Sequence, residues 1–413
     1  MSDVESSSLF LDPIPGSGLV SVCVGFPGSE ETDGPARFGY TGLLLELIRC
    51  GGGLLPEEAV VDRFDQWGSG LSAFCTETVS GIRYSCLPDV LRESLELLGR
   101  ILERVEVSAR LLERECSSKI ALIQEVRDDP SSDIMARARR CYFRESALGF
   151  GPLGSENCLK EVSPDRMNEF GNHFLRKRPR VMAISGDFDS PELGPWVQAR
   201  FFADEAKMKD RPGISAMPLV EPFQEVVRHA REQSIVLRVF PSGGVSSENS
   251  YSRHIALACL NGLAGPLFEE IRERHGLAYF SSARFLAGSQ SGLLAFVSGC
   301  EESKATFLLD RLDEILMRLG IRGFSEEELE TGRAQVRSGV RMNRQKSSWR
   351  AMRLAMRAVQ GLEIDLGESL LGAVDEVDPS RLTEWCRTAF SKEFGSTIQL
   401  LPDRSADTEG PGE

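Results

Sequence analysis

Residues 266–279 read PLFEEIRERHGLAY. The stretch closes a helix predicted over 254–274, turns at Gly276 and enters a strand predicted over 277–285. Arg272 therefore falls in the last helical turn and Tyr279 at the start of the strand. A Val-rich strand precedes this unit (234–240, SIVLRVF). After it come a strand over 293–298, a helix over 305–319, a helix over 326–344, a helix from 382–390 and a strand over 397–401. Ser325 with Glu328 three residues on is a capping box that opens the 326–344 helix.

The first half of the chain has the same order. The strand 19–26 (LVSVCVGF) precedes an apolar helix over 39–50, which Gly51, Gly52 and Gly53 stop. Residues 71–86 alternate as a hairpin or two adjacent strands. Helices follow over 88–105 and 109–127, the second ended by Asp128-Asp129-Pro130, and then a strand over 181–185. Residues 207–223 (KMKDRPGISAMPLVEPF) hold three prolines and no period, as a linker does. The expected architecture is α+β: two similar lobes, each an antiparallel-rich sheet flanked by helices. The lobes span 1–206 and 233–404, with a linker over 207–232 and a disordered tail over 405–413.

At 413 residues the chain is too long for one ordinary core and suits two domains. A net charge of -14 argues against nucleic-acid and anionic-membrane partners, which select basic surfaces. The basic stretches 137–144 (RARRCYFR) and 175–180 (LRKRPR) read as solvated faces. The start MSDVESSS has neither a basic n-region nor an apolar core, so no signal or transit peptide is expected. No run of 18 apolar residues exists, so no membrane span is expected. The ten cysteines are scattered without a C-x-x-C pair and read as reduced core residues. A soluble, cytoplasmic protein is the expectation.

Four segments, PLFEEIRERHGLAY (266–279), GFSEEELETGRAQV (323–336), LIQEVRDDP (122–130) and ISGDFD (184–189), stand in the order and at about the spacing of one family. In them, and nearly end to end, the chain resembles the insulinase/pitrilysin-type metallopeptidases, inverzincins whose zinc motif is H-x-x-E-H. That motif places two His on one helix face, with a carboxylate that activates the metal-bound water. The resemblance puts its positions on Gly42, Leu45 and Glu46 in the 39–50 helix, with Glu125 as the surviving candidate for a further ligand. Both His and the base are missing. The four His in the chain (His173, His229, His254, His275) form no i, i+4 pair. No catalytic zinc is expected on this chain, and Glu125 on its own reads as a solvated or salt-bridged helix residue.

The resemblance also implies that Arg272 and Tyr279 have the family's Arg–Tyr spacing, the guanidinium anchoring a substrate carbonyl and the phenol stabilising an oxyanion. Taken singly, an Arg near a helix C-terminus and a Tyr in a half-buried strand are ordinary structural residues. Ser72 and Ala73 fall at the Asn-Ala positions of the strand whose edge pairs with substrate in the family. Core packing alone would also explain Ala73.

Some family members are heterodimers in which one chain bears H-x-x-E-H and the other supplies Arg and Tyr. The expectation is therefore a zinc-free subunit, inactive alone, that completes a peptide-hydrolysing chamber with a zinc-bearing homologous partner. Its substrate would be a peptide. The alternatives are a non-catalytic binding or scaffolding homologue, like the respiratory-complex core subunits of this family, and, ranked last, a peptidase active alone.

Overall fold

The computed structural model describes residues 8–202, 214–217, 220–229, 232–262 and 264–403. They form two compact units, one from described residues within 1–124, 143–215 and 341–366, the other from those within 125–142, 216–340 and 367–413. The tail expected over 405–413 lies outside the described residues, as does most of the linker's first half.

The first unit is built on strands β1 (Leu9–Pro13), β2 (Val20–Pro27), β3 (Ser72–Cys75), β4 (Val79–Cys86) and β5 (Val181–Gly186), in the order β1-β5-β2-β4-β3. Only β1 and β5 pair in parallel. Every residue of β2 is buried, because both faces of the sheet are covered. Val20, Val22, Val24 and Phe26 face a core that includes Leu43, Leu44, Leu47 and Ile48 of the helix Tyr40–Arg49. Cys23, Val79, Val181 and Ala183 face the opposite way, onto Ala351, Leu354, Ala355 and Val359 of the helix Ser347–Gln360. Alternation along a strand dictates this division. Gly25 lets that helix come close: a Cβ there would stand 3.2 Å from Cγ2 of Val359. Arg350 ties the helix to the sheet edge with two bonds to Asp12, 2.5 and 2.6 Å, while Ser185 donates to the same carboxylate at 2.6 Å.

The second unit repeats the plan with β6 (Gln224–His229), β7 (Ser234–Gly243), β8 (Ala278–Ala287), β9 (Ser291–Cys300) and β10 (Ser396–Pro402), in the order β6-β10-β7-β9-β8. Again only the first strand and the last are parallel. The helix Ala305–Arg322 lays Leu308, Leu312, Ile315 and Leu319 against Phe240 and Phe296. The helix Pro130–Phe143 lies with this sheet, where the Tyr142 hydroxyl donates to the Val239 carbonyl and bonds Ser396 Oγ at 2.9 Å. The capping box forms as read, with Ser325 N donating to Glu328 and Glu328 N to Ser325 Oγ.

Two α+β sheets of one topology agree with the expected fold class. The segments differ from the expected division. The stretch 207–232 is not all linker, since it contains β6. The units also exchange sequence: Ser347–Gln360 lies in the first and most of Pro130–Phe143 in the second. The helix expected over 254–274 is two. Ser250–Asn261 is α-helical, and a π-helix runs Leu267–Arg274. The first helix ends at Gly262, whose backbone is extended, and Pro266 caps the second; between them Gly265 passes so close that a Cβ would be 2.4 Å from the Cys259 carbonyl oxygen.

Replacing Arg350 by Met leaves the part-buried Asp12 carboxylate without its guanidinium. The stability loss expected is about 2 kcal/mol, below the range for a fully buried pair. An unchanged denaturant midpoint would show that the ion pair with Asp12 does not hold Ser347–Gln360 to the sheet.

Candidate functional site

Gly42, Leu45 and Glu46, the positions expected for the zinc motif, lie on the helix Tyr40–Arg49, whose start is fixed by a buried carboxylate. Asp33 accepts from Gly39 N at 2.6 Å, Thr41 N at 3.0 Å and Thr41 Oγ1 at 2.6 Å. Anionic groups are favourable at this end of a helix. Burial nonetheless pushes the Asp33 carboxyl above its usual pKa range, with these three bonds opposing. Leu45 is wholly buried in the core. Gly42 and Glu46 line a cavity of about 540 Å³ between this helix, β3 and the helix Ala109–Asp128.

The facing positions on Ala109–Asp128 are Glu115, Lys119 and Leu122. Glu125 is exposed, beyond the last lining residue on that helix, in keeping with its reading as a solvated helix residue. Glu115 and Leu122, seven residues apart and so about two turns, share the cavity face instead. A signal for this exists in the sequence. Leu112, Glu115, Cys116, Lys119 and Ile123 are the buried positions, so two charged residues interrupt an apolar stripe.

Lys119 takes the space that Gly42 leaves. A Cβ at residue 42 would be 2.5 Å from Lys119 Nζ and 3.0 Å from the Pro152 carbonyl oxygen. The remaining charges in the cavity are paired: Arg49 with Glu46 at 2.7 Å, and Arg114 with Glu57 at 2.6 Å and Glu115 at 2.7 Å. The bond from Arg114 lowers the Glu57 pKa. Lys119 is 9% exposed and makes no hydrogen bond or ion pair among the described residues. Burial pushes its pKa down, while the carboxylates of Asp33 and Glu46 are among the groups that act against that shift.

These residues do not fit zinc. Structural and catalytic zinc sites draw on imidazole, thiolate or free carboxylate. Here the carboxylates are held by arginines, an ammonium stands among them, and no group of three or more candidate ligands occurs among the described residues. Cys50 and Cys75, the nearby thiols, are pushed by burial up to about 12. Ser72 is exposed and Ala73 half-buried on β3, where they pair with Arg83 and Ile82 of β4. Because β3 ends its sheet, its other backbone edge has no strand partner among the described residues.

In the second unit, Arg272 lies on the π-helix and is exposed, its guanidinium 5.2 Å from the Phe268 ring centroid. Its neighbour Arg274 is tied to Glu269 at 2.7 Å and Glu270 at 2.5 Å, whereas Arg272 has no carboxylate partner among the described residues. Gly276, at φ 55, ends the turn. The β8–β9 register shifts between Ala278 and Phe280, so Tyr279 is the extra residue of a bulge. Bulges re-aim a side chain out of the pleat, and Tyr279 is 57% exposed on this edge strand. Nothing in the sequence pattern signals the bulge or the π-helix.

Replacing Lys119 by Met should raise the thermal unfolding midpoint at pH 7. A lysine whose folded pKa is depressed contributes its full stability only above its ordinary 10.5 and loses it as pH falls through the folded value. The advantage of Met should therefore shrink as pH rises from 7 to 10.5. A lower midpoint at pH 7, or a difference independent of pH, contradicts a burial cost at this position.

A family model described as the peptidase M16 inactive domain matches residues 161–336. An uncharacterized zinc protease of Bacillus subtilis is 19% identical over 395 residues, covering 94% of each chain. One from Mycobacterium leprae is 22% identical over 401 residues, 92% of this chain and 86% of that one. Among solved structures, the peptidase M16 inactive domain from Pseudomonas fluorescens superposes with a TM-score of 0.86 at 14% identity, over 98% of this chain and 97% of that one. A chain of Complex III2 from Candida albicans gives 0.79 at 16% identity, over 96% and 94%. Residues 161–336 match the M16 peptidase inactive domain, and the chain as a whole resembles the insulinase/pitrilysin-type peptidases, with Gly42, Leu45 and Glu46 at the positions expected for H-x-x-E-H.

Proposed function

We propose that the chain is the zinc-free subunit of a two-chain metallopeptidase, supplying Arg272 and Tyr279 to a site whose zinc is held by an H-x-x-E-H partner. The observation that carries the reading is the release of both side chains from structural duty. Arg272 is left without a carboxylate beside a fully paired Arg274, and Tyr279 is turned out of its sheet by a bulge. A guanidinium and a phenol hydroxyl are the donors that a tetrahedral, anionic intermediate calls for. The peptide would lie along the free edge of β3, past Ser72 and Ala73. This chain's own residues would orient the substrate and stabilise charge; activation of water would belong to the partner.

A second reading, a scaffold without catalysis, is favoured by one observation, the likeness to a chain of Complex III2. It gives no use to an exposed Tyr at a bulge.

The test is hydrolysis of a quenched peptide by the chain alone, by an H-x-x-E-H homologue alone and by the two mixed. Activity is expected in the mixture only, falling about 10²–10³-fold with Tyr279→Phe, as removal of one oxyanion donor does. Arg272→Lys should raise KM more than it lowers kcat. A stable complex with no activity supports the scaffold, and full activity with Tyr279→Phe removes the proposed role.

A further inference from the structure

We infer that Lys304 is a positioning residue for the Arg272–Tyr279 pair, clamping the turn between them and setting a positive charge beside the Tyr279 phenol, a role that rests on the donor function proposed for Tyr279. Lys304 stands where local rules disfavour it. It is the N-cap residue of the helix Ala305–Arg322, makes no side-chain cap there, and brings a cation to the positive end of an 18-residue helix. Glu301, paired with it at 2.9 Å, offsets part of that cost. Its second contact leads away from the helix: Lys304 Nζ donates at 3.3 Å to the carbonyl of Gly276, 28 positions earlier.

Gly276 is the left-handed residue of the turn from the π-helix into β8. Its N–H donates to the Arg272 carbonyl at 3.0 Å, and the N–H of Leu277 to the Ile271 carbonyl at 2.9 Å. One chain of bonds therefore runs from the backbone of Arg272 through Gly276 to the Lys304 ammonium. The sheet register brings the phenol to the same place. Tyr279 bulges out beside Ala278, which pairs with Cys300, and Cys300 ends β9 just before the turn that carries Lys304. The Lys304 pKa is raised, first by the bond to Glu301, and Tyr279 is among the groups whose negative charge adds to that rise. The effect is mutual: a cation beside a phenol makes it a more acidic donor, and so a stronger one to an oxyanion. Phe307, on the same helix, meets His275 edge-on at 6.1 Å and holds the turn from its apolar side. The other charges around the turn are Arg272, Arg274 with Glu269 and Glu270, and His275 at 3.9 Å from Glu270.

The experiment follows tyrosinate absorbance of the full chain through an alkaline titration at low salt, with the curve of Tyr279→Phe subtracted so that the difference reports Tyr279. Burial pushes Tyr40, Tyr84 and Tyr142 upward, which keeps them clear of the early part of the curve. Lys304→Met should move the Tyr279 midpoint upward by about 0.3 pH units, the worth of one exposed charge, and Lys304→Arg should leave it in place. A midpoint unmoved by Lys304→Met, or moved equally by Lys304→Arg, overturns the inference. Activity is scored separately, in the mixture with an H-x-x-E-H homologue. There Lys304→Met should lower kcat about twofold or more with KM little changed, Lys304→Arg should restore it, and Lys304→Met should cost nothing further in the Tyr279→Phe background. An equal loss in both backgrounds overturns the inference and leaves the peptidase reading intact. A mixture that is inactive with the unaltered chain overturns the peptidase reading alone, since the titration still decides whether Lys304 acts on Tyr279.

Discussion

A sheet buried on both faces needs two layers of helix, and β2, with no exposed residue, sets that requirement most strictly. One face is met by the helix Tyr40–Arg49 and its neighbours from the same end of the sequence. The other is met by Ser347–Gln360, which arrives from about 300 residues further along and is fixed to Asp12 through Arg350, with Ile364 and Leu366 beside it. Both the placement of the candidate site and the stability of the first unit depend on that second layer.

The local elements that carry a strong period are the ones legible in the sequence. β2 alternates, the apolar helix stops at three glycines, and the capping box at Ser325 and Glu328 forms with both of its bonds. The strands that escape notice, β1 and β6, are each the parallel outer strand of a sheet. β1 has five residues and ends in Pro13, and β6 follows a proline-containing stretch that reads as linker, so tertiary pairing outweighs weak local preference there. The destination of Ser347–Gln360 is not legible either. Its amphipathic pattern says that one face is buried, and pattern alone does not say against which sheet.

At the site the division is similar. Loss of the zinc ligands is readable residue by residue. What occupies their place is not, since it arises from a close approach in space: Gly42 removes a side chain and Lys119, 77 positions later, enters. The Lys119 ammonium is attracted by the charges of Asp33 and Glu46, and an ammonium offers none of the Lewis acidity of a metal.

Two positions depart from what local rules favour, and one of them is where function is proposed. A buried lysine costs stability, and a tyrosine extruded at a bulge forgoes the packing that its neighbours Ala278 and Phe280 obtain. Sequences usually agree with their structures at every level, and disagreements concentrate where another demand is met. At Tyr279 that demand is the proposed role of its phenol as a donor beside Arg272, and Lys119 stands where Gly42 leaves room for it.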